Sequence, residues 1–303
     1  MSDTIVPDSQ HRGLVAALPQ PIRDYALLAR FDRPIGWWLL FWPCAWGVLL
    51  AGGEKRWELI LWLLAGSIAM RSAGCVYNDI VDADLDARVA RTAARPVASG
   101  AVSKLAAWVW LFALCLIGLV VLLQLRWQAQ AVALASLALV AAYPFMKRIT
   151  WWPQAWLGLV FSWGALVGWV EVRGDFLTAM TALYAGSICW VIGYDTIYAL
   201  QDREDDALVG IRSSALRLGG KVRIGVAAFY TAAVAAWAVA FWLLRENWLA
   251  LAALAPMAVH LGWQVATLDP EDGGNALSRF RSNRFAGLLM ALACWVAGNA
   301  GSG

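Results

Sequence analysis

Nine long apolar runs, separated by short polar pieces, limit what this chain can fold into more than any other feature. An α-helix needs about 20 residues to cross a hydrocarbon core of about 30 Å, whereas barrel strands are about half as long and alternate. A charged fraction of 15% and a mean hydropathy of +0.60 agree with such helices. The sequence therefore predicts an all-α integral membrane protein with nine transmembrane helices. The runs lie near residues 34–52, 57–77, 105–125, 128–146, 151–170, 176–194, 224–244, 248–268 and 285–300.

The distribution of positive charge predicts the orientation in the membrane. If all nine runs cross, 18 of the 24 Lys and Arg residues fall on the side of the N-terminus, five fall on the opposite side, and Arg71 lies inside the second run. Lys and Arg collect in the cytoplasmic loops of membrane proteins. We therefore expect a cytoplasmic N-terminus. The membrane that we expect is the bacterial inner membrane, with the active site toward the cytoplasm. Residues 1–33 are expected to form a polar lead with an amphipathic helix, and residues 34–300 a single membrane domain.

An acidic stretch, CVYNDIVDADLD, ends the second apolar run and continues past it. If the helix continues past the membrane edge, four oxygen-bearing side chains spaced three and four residues apart share one face, while Asp84 points away. Carboxylates in such a row repel one another, so a cation is expected beside them, and oxygen ligands favour Mg²⁺. The four residues are Asn78, Asp79, Asp82 and Asp86.

A second acidic stretch, YDTIYALQDREDDALVG, follows the sixth run. Asp195, Asp202 and Asp206 again lie nearly on one helical face, with Tyr198 at its flank. Four runs separate the two stretches, so both are expected on the cytoplasmic side. Mg²⁺ is usually held by one or two carboxylates together with substrate phosphates, so two such sets facing each other could hold a diphosphate. The competing interpretation is that these are solvated loop charges.

Basic and aromatic side chains follow the acidic stretches and suit the neutralisation of a phosphate leaving group. Each of the basic ones, taken singly, is also explained by the positive charge typical of cytoplasmic loops. The candidates for substrate binding are Arg91, Arg95, Tyr143, Lys147, Arg148 and Tyr198.

Arg71 differs from these residues because it lies within an apolar run. A charge at that depth is by default a functional-site hypothesis, and the alternative is that its side chain reaches the nearby membrane edge. We place Arg71 among the catalytic candidates.

Six stretches together resemble the UbiA superfamily of intramembrane aromatic prenyltransferases. NDxxDxxxD and the RTxxRPxxSG that follows it carry the resemblance to the superfamily, although NDxxDxxxD alone would leave the subfamily open. YPFMKR and YDTxYAxxDRxDDxxxGIxS narrow it, and RSAGCVYND and DRPIGWWLLFWP add to the match, so that the combination is specific. They span roughly residues 25–300 in order. Departures are modest: Ser72 and Tyr77 replace residues that are often alanine and valine, and Ala90 stands where a basic residue is common.

This resemblance implies nine transmembrane helices around a central cavity that opens toward lipid. It also implies that two aspartate-rich motifs bind a polyprenyl diphosphate through Mg²⁺, with Asn78 contributing from the first motif. The implied reaction transfers the polyprenyl group to the ring carbon ortho to the hydroxyl of 4-hydroxybenzoate, in ubiquinone synthesis. The metal ligands carried over are Asp79, Asp82, Asp86, Asp202 and Asp206.

Roles for the acceptor side are hypotheses within this reaction. Asp195 is suited to orienting or deprotonating the phenol, and Asp202 is placed with it among the catalytic residues. Arg30 or Arg33, at the start of the first run, is suited to pairing with the substrate carboxylate. The expected partners are polyprenyl diphosphate, 4-hydroxybenzoate and membrane lipid, with no nucleic acid.

Two other functions stay open at this point. One is a prenyltransferase of the same superfamily with another acceptor, such as dihydroxynaphthoate, homogentisate, haem or a chlorophyll precursor. The other is a cation transporter. A transporter would carry its acidic residues near the bilayer midplane, whereas these stretches lie at the cytoplasmic ends of the runs.

Overall fold

The structure, a computed structural model, describes residues 15–20, 22–88, 92–203, 210 and 212–299. This part of the chain is built of helices and contains no β-strand. Two 3₁₀ turns, Ala199–Asp202 and Gly219–Lys221, follow α8 and α9. The α-helices are α1 (Ile22–Leu28), α2 (Ile35–Leu50), α3 (Trp57–Asp86), α4 (Lys104–Leu122), α5 (Trp127–Ile149), α6 (Pro153–Ser162), α7 (Gly164–Arg173), α8 (Thr178–Tyr198), α9 (Ser214–Leu218), α10 (Val222–Arg245), α11 (Trp248–Ala252), α12 (Ala255–Thr267) and α13 (Gly273–Asn299).

Each predicted apolar run falls on one of these helices or on an adjoining pair. Within the described ranges, six segments are long and apolar enough to cross a membrane, and α2 is apolar but shorter. The prediction of a helical membrane protein is confirmed, whereas the count of nine crossings and the side of the N-terminus stay predictions. The six segments are Trp57–Asp86, Lys104–Leu122, Trp127–Met146, Pro153–Arg173, Ser214–Arg245 and Trp248–Thr267.

Helix α3 carries the first acidic motif and runs without a break from Trp57 to Asp86. Its 30 residues rise about 45 Å, which exceeds a hydrocarbon core of about 30 Å. The acidic stretch at its C-terminal end is therefore helical, as the sequence predicts. This continuity lets residues three and four positions apart form a single face.

The chain forms two compact units, and the first comprises residues 1–38 and 62–124. Its core joins α1, α3, α4 and the segment between α3 and α4. Leu28 from α1 packs in one buried cluster with Val76 from α3 and Leu111 from α4. This packing fixes the short helix α1 against the long helix that carries the first acidic motif.

One face of α4 is both apolar and exposed. Its residues recur three and four positions apart, which places them on one stripe of the helix. A patch of this kind is unfavourable in water but matches lipid tails. We therefore assign this face to contact with the hydrocarbon of the membrane. The stripe comprises Leu105, Val109, Phe112, Leu116 and Val120.

The second unit comprises residues 39–61 and 125–303. Helix α8 packs mainly against α10 and α6. The fully buried indole of Trp46 lies beside those of Trp190 and Trp237, with ring centroids 4.9 and 5.6 Å away. These aromatic contacts fix α8, which carries the start of the second acidic motif.

A buried carboxylate near the end of α7 ties two connections of the second unit together. Glu171 accepts a hydrogen bond from Nη2 of Arg56 at 2.9 Å and another from the backbone N–H of Arg126 at 2.7 Å. Arg56 precedes α3 and Arg126 precedes α5. One side chain therefore fixes the starting points of two helices.

Candidate active site

The acidic face predicted for the first motif is present on α3. Asp79, Asp82 and Asp86 are buried, with exposed fractions of 2%, 0% and 5%. Asp84 points away, because its side chain is 86% exposed and pairs with Lys104 at 3.0 Å. The helix thus separates a buried set of carboxylates from one solvated carboxylate, as a period of 3.6 residues requires.

Two arginines of the same unit hold this face. Nη2 of Arg30 donates to both carboxylate oxygens of Asp79, at 2.8 and 2.9 Å. Nη1 of Arg95 donates to Asp86 at 2.7 Å and to Asp79 at 3.4 Å. Buried carboxylates need such partners, because an unpaired charge away from water is costly. Asp79 is therefore the residue at which both guanidinium groups meet.

The position of Arg30 follows from the way α1 ends. The N–H of Phe31 donates to the carbonyl of Ala26 at 3.0 Å. The N–H of Arg30 donates to the carbonyl of Leu27 at 3.0 Å, which completes a Schellman motif. Arg30 occupies the left-handed position of this motif, with φ at 58°, where glycine is usual. From there its side chain reaches Asp79, so an unfavourable backbone conformation accompanies a buried ion pair.

The guanidinium of Arg30 keeps its charge in this environment. Burial alone lowers its pKa, but the carboxylate of Asp79, together with Cys75 and Asp32, outweighs that effect. The net result is a pKa above the ordinary value for arginine. A permanent positive charge therefore lies against the acidic face.

The polar segment after α3 folds back onto the helix end and brings Arg95 to the acidic face. The hydroxyl of Thr92 donates to the carbonyl of Asp86 at 2.9 Å, which satisfies one of the open carbonyls at the end of α3. The N–H of Arg95 then donates to the carbonyl of Thr92 at 2.9 Å, and Val97 is buried in the core of the unit. Arg91 lies outside the described residues.

The donor set on α3 suits a hard divalent cation, because carboxylate oxygens are the ligands that Mg²⁺ prefers. Three metal-ligating side chains do not converge on one point anywhere in the described part of the chain. The reason is the helix, since Asp79 and Asp86 are about 10 Å apart along its axis. Such a row can supply one or two carboxylates to each ion, with phosphate oxygens completing the coordination.

Arg71 lies about two turns before Asn78 on α3, and both side chains are half-buried. Nη1 of Arg71 donates to the sulfur of Cys75 at 2.6 Å. The guanidinium also lies against the start of α2, because a Cβ added to Gly36 would be only 2.7 Å from Nε of Arg71. The missing side chain of Gly36 therefore provides the space that Arg71 occupies.

The two arginines considered for the substrate carboxylate have protein partners. Arg30 is engaged with Asp79, as described above. Nε of Arg33 donates to the buried carboxylate of Asp32 at 3.3 Å. The assignment of either arginine to the substrate stays a prediction.

The second acidic motif begins on α8. Asp195 is half-buried there, and the ring of Tyr198 packs on that of Phe280 with centroids 4.6 Å apart. The α-helix ends at Tyr198, and the 3₁₀ turn that follows ends at Asp202. A 3₁₀ turn advances about 120° per residue instead of 100°, so the regular α-helical period ends at Tyr198. That Asp195, Asp202 and Asp206 share one face stays a prediction. The side chain of Asp202 and all of Asp206 lie outside the described residues.

The YPFMKR motif forms the last turns of α5. Tyr143 is half-buried and Arg148 is exposed, while the side chain of Lys147 lies outside the described residues. The role of this motif toward phosphate stays a prediction.

Sequence reasoning missed three buried polar residues next to the second motif. The hydroxyl oxygens of Thr196 and Ser214 are 2.6 Å apart. The backbone N–H of Ser214 donates to Oε1 of Gln154 at 3.0 Å. All three residues are buried, with Gln154 at 5% exposed. Their place in the sequence was the available indication, because Thr196 lies within the YDTxYAxxDRxDDxxxGIxS stretch and Ser214 follows it directly.

Comparison with known protein families decides the family of this chain. The model of the UbiA prenyltransferase family matches residues 40–296. The chain belongs to the UbiA prenyltransferase family. The resemblance carried by the two acidic motifs is therefore confirmed.

Curated relatives of this UbiA family member share most of its length. It is 41% identical over 277 residues to the mitochondrial 4-hydroxybenzoate polyprenyltransferase of Arabidopsis thaliana, covering 90% of this chain and 68% of the plant protein. It is 42% identical over 281 residues to the mitochondrial 4-hydroxybenzoate polyprenyltransferase of Caenorhabditis elegans, covering 91% of this chain and 79% of the nematode protein.

Solved structures of UbiA homologues share its fold. The apo structure of a UbiA homologue from Aeropyrum pernix K1 superposes with a TM-score of 0.67 at 28% identity, covering 84% of this chain and 96% of the archaeal one. A UbiA homologue from Archaeoglobus fulgidus bound to GPP and Mg²⁺ superposes with a TM-score of 0.66 at 16% identity, covering 89% and 98%.

Proposed function

We propose that this chain transfers a polyprenyl group from polyprenyl diphosphate to 4-hydroxybenzoate, at the ring carbon ortho to the hydroxyl, and releases diphosphate. This is a step of ubiquinone biosynthesis. The observation that carries the proposal is the buried carboxylate face of α3, held by Arg30 and Arg95. Relatives that are 41% and 42% identical over most of the chain carry the name of this activity, which supports it.

We assign the metal, Mg²⁺, to the acidic residues of both motifs. When bound, Mg²⁺ supplies positive charge that stabilises the departing diphosphate. The oxygen-only donor set supports this choice, and the homologue from Archaeoglobus fulgidus is bound to GPP and Mg²⁺. That both motifs hold one diphosphate stays a prediction. The proposed ligands are Asp79, Asp82, Asp86, Asp202 and Asp206.

The protein's own cations stabilise the same leaving group. As the bond between the allylic carbon and the diphosphate oxygen breaks, negative charge builds on the diphosphate, and N–H donors already aimed at it lower the barrier. Arg95 suits this role because it is charged, 23% exposed and fixed beside Asp86. The further diphosphate contacts that we propose are Asn78, Arg91, Tyr143, Lys147, Arg148 and Tyr198.

The acceptor must present its ortho carbon to the allyl cation. We propose that Asp195, half-buried near the end of α8, accepts the hydrogen bond of the phenol and raises the electron density of the ring. Arg33 is proposed to pair with the substrate carboxylate, and Arg71 to support the site from within α3. Bond formation makes the attacked ring carbon tetrahedral while it still carries its original hydrogen, and loss of that hydrogen as a proton restores aromaticity.

Water must be kept from the allyl cation, because its attack would give the free prenol instead of product. The lipid-facing stripe of α4 supports a location in the membrane. The hydrocarbon of the lipid would also solvate a long isoprenoid chain. We propose nine crossings with the N-terminus on the cytoplasmic side. The bacterial inner membrane stays a prediction, because the relatives are named as mitochondrial proteins.

The decisive experiment compares Asp82→Asn with Asp84→Asn in membranes supplied with geranyl diphosphate, 4-hydroxybenzoate and Mg²⁺. Asp82 is fully buried on the acidic face, whereas Asp84 is exposed and serves as the matched control. We expect Asp82→Asn to lower the rate by about 10² to 10³ and Asp84→Asn to leave it unchanged. EDTA should abolish product formation, and added Mg²⁺ should restore it. Near-normal product from Asp82→Asn would contradict the assignment.

The acceptor is tested by competition. We expect dihydroxynaphthoate and homogentisate to compete poorly with 4-hydroxybenzoate when all three are present at equal concentration. Preferred prenylation of either compound would contradict the 4-hydroxybenzoate assignment and assign this chain to a branch of the family with another acceptor. Transport of Mg²⁺ into proteoliposomes without product formation would favour the transporter interpretation.

A further inference from the structure

A buried polar group joins four helices of the second unit, and we name it the amide bridge. Its centre is formed by two fully buried amides, Gln264 on α12 and Asn283 on α13, which hydrogen-bond each other at 3.3 and 3.4 Å. The indole N–H of Trp190, on α8, donates to Oδ1 of Asn283 at 2.9 Å. The hydroxyl of Tyr230, on α10, donates to Oε1 of Gln264 at 2.7 Å.

The donors of the bridge determine how its amides are turned. An indole nitrogen can only donate, so Asn283 must direct its oxygen toward Trp190. The amide nitrogen of Asn283 then faces its own helix, where it donates to the carbonyl of Phe280 at 3.1 Å. The amide nitrogen of Gln264 donates to the hydroxyl of Ser282 at 3.1 Å. Every polar atom of the two amides therefore has a partner, which is the condition for a stable buried network.

The bridge fixes α8 at two points shortly before Asp195. The first point is Trp190, which is bonded directly to Asn283. The second is Gly193, because the ring of Tyr230 lies so close to it that an added Cβ would overlap the ring. These points precede Asp195 by five and two positions. A helix that is fixed at two points cannot rotate or slide without losing one of the contacts.

Aromatic contacts with α13 continue toward the end of α8. The ring centroid of Tyr194 lies 4.8 Å from that of Trp190 and 5.9 Å from that of Phe280. Phe280 also contacts the ring of Tyr198, at 4.6 Å. Trp190, Tyr194 and Tyr198 follow one another at intervals of four residues, so they form one face of α8 turned toward α13. Asp195 lies about 100° around the helix from Tyr194, and any rotation of α8 therefore moves its carboxylate.

We propose that Asn283 and Gln264 are positioning residues, which fix the rotation of α8 and so direct the carboxylate of Asp195 toward the phenol of the acceptor. Gln264 and Tyr230 lie in segments apolar enough to span the membrane, where polar side chains are costly and usually functional. A displacement of about 1 Å near the reacting groups can lower a rate about 10²-fold, so a rigid end of α8 benefits the reaction. This inference rests on the proposed function, in which Asp195 accepts the hydrogen bond of the phenol.

The test compares two tryptophans that make equivalent hydrogen bonds to α13. Trp190→Phe removes the indole N–H bonded to Asn283 and keeps an aromatic ring. Trp46→Phe is the matched control, because the fully buried Trp46 of α2 donates to the carbonyl of Gly287 at the same distance of 2.9 Å. Only the first of these bonds involves α8. The measured quantities are the KM for 4-hydroxybenzoate, the KM for geranyl diphosphate and the midpoint of thermal unfolding.

We expect Trp190→Phe to raise the KM for 4-hydroxybenzoate by about five- to tenfold relative to Trp46→Phe, the worth of one hydrogen bond, while both lower the thermal midpoint similarly. The KM for geranyl diphosphate should not change, because Arg95 and the carboxylates of α3, which we assign to the diphosphate, belong to the first unit. Tyr230→Phe removes only a hydroxyl and should raise the KM for 4-hydroxybenzoate in the same way. It keeps the inference testable if Trp190→Phe does not fold.

A second readout does not depend on turnover. Asp195→Cys introduces a thiol on α8, and mass spectrometry of the labelled peptide gives the rate at which a water-soluble maleimide reacts there. Adding Trp190→Phe should change this rate by about threefold or more, whereas adding Trp46→Phe should leave it unchanged.

Equal effects of Trp190→Phe and Trp46→Phe on either the KM for 4-hydroxybenzoate or the labelling rate would overturn the inference, because the bridge would then contribute to stability alone. Absence of product from the wild-type chain would instead refute the proposed function. The labelling rates would in that case still decide whether the bridge orients position 195.

Discussion

Nη2 of Arg30 donates to both carboxylate oxygens of Asp79, at 2.8 and 2.9 Å, across 49 positions of sequence. The pair joins the end of α1 to the acidic face of α3, and Asp79 is 2% exposed. The first prediction concerns this pair.

Replacing Arg30 should destabilise the first unit. Arg30→Gln leaves the buried carboxylate of Asp79 with the longer contact to Arg95, at 3.4 Å. Loss of one partner from a buried ion pair costs about 3–5 kcal/mol, so we expect a clear fall in the thermal midpoint in detergent. Arg23→Gln is the control, because Arg23 lies on α1 and its described hydrogen bond is to the carbonyl of Leu18. An equal midpoint for the two variants would show that the pair contributes little.

Arg95→Gln should weaken the binding of the diphosphate substrate. We expect the KM for geranyl diphosphate to rise by about tenfold or more, because a charge-assisted donor is worth roughly 1.5–3 kcal/mol. The exposed Arg88, two residues after the end of α3, provides the control variant Arg88→Gln. Steady-state kinetics in membranes at fixed Mg²⁺ measures both. A KM unchanged by Arg95→Gln would remove Arg95 from the substrate site.

Gly36→Ala should displace Arg71. The new methyl group would lie 2.7 Å from Nε of Arg71, so the guanidinium has to move. We expect the turnover number to fall by about tenfold, with the protein still folded. Gly74→Ala, on α3, is the control, because nothing lies within 4 Å of an added Cβ there and a helical alanine is favoured over glycine. Full activity of Gly36→Ala would argue that the place of Arg71 does not matter for catalysis.

Glu171→Gln should lower stability and leave catalysis alone. The change removes the charge that holds Arg56, and since Arg56 is 44% exposed we expect a loss of only about 1–3 kcal/mol. Asp175→Asn alters an exposed pair with Arg173 and should cost no more than about 1 kcal/mol. Thermal midpoints measure the difference, and both KM values should match wild type. A raised KM for Glu171→Gln would mean that this carboxylate influences the site.

The helical membrane class was predictable because a chain in lipid must satisfy its backbone groups within each segment. The buried face of Asp79, Asp82 and Asp86 was predictable from spacing alone, since α3 continues to Asp86. The partners of that face were not, because Arg30 reaches Asp79 through the packing of α1, which no local pattern encodes.

The second motif departs from a continuous α-helix after Tyr198. Extrapolating an α-helical period from Asp195 assumes that the helix persists, but the backbone tightens into a 3₁₀ turn at Ala199. A buried hydrogen-bonded group beside this motif also escaped prediction. Thr196, Ser214 and Gln154 look ordinary in sequence, and only the fold brings their polar atoms together in a buried place.

The left-handed backbone of Arg30 creates opposing selection pressures at one position. The backbone there favours glycine, whereas Asp79 requires a guanidinium. Arg30→Gly would remove the backbone strain of the turn but would leave the carboxylate of Asp79 without its guanidinium partner. We therefore expect a library screened only for an intact end of α1 to keep Arg30→Gly. A library screened for prenyl transfer should lose it. Variants designed to raise the thermal stability of the enzyme should therefore keep Arg30 and carry their substitutions at other positions.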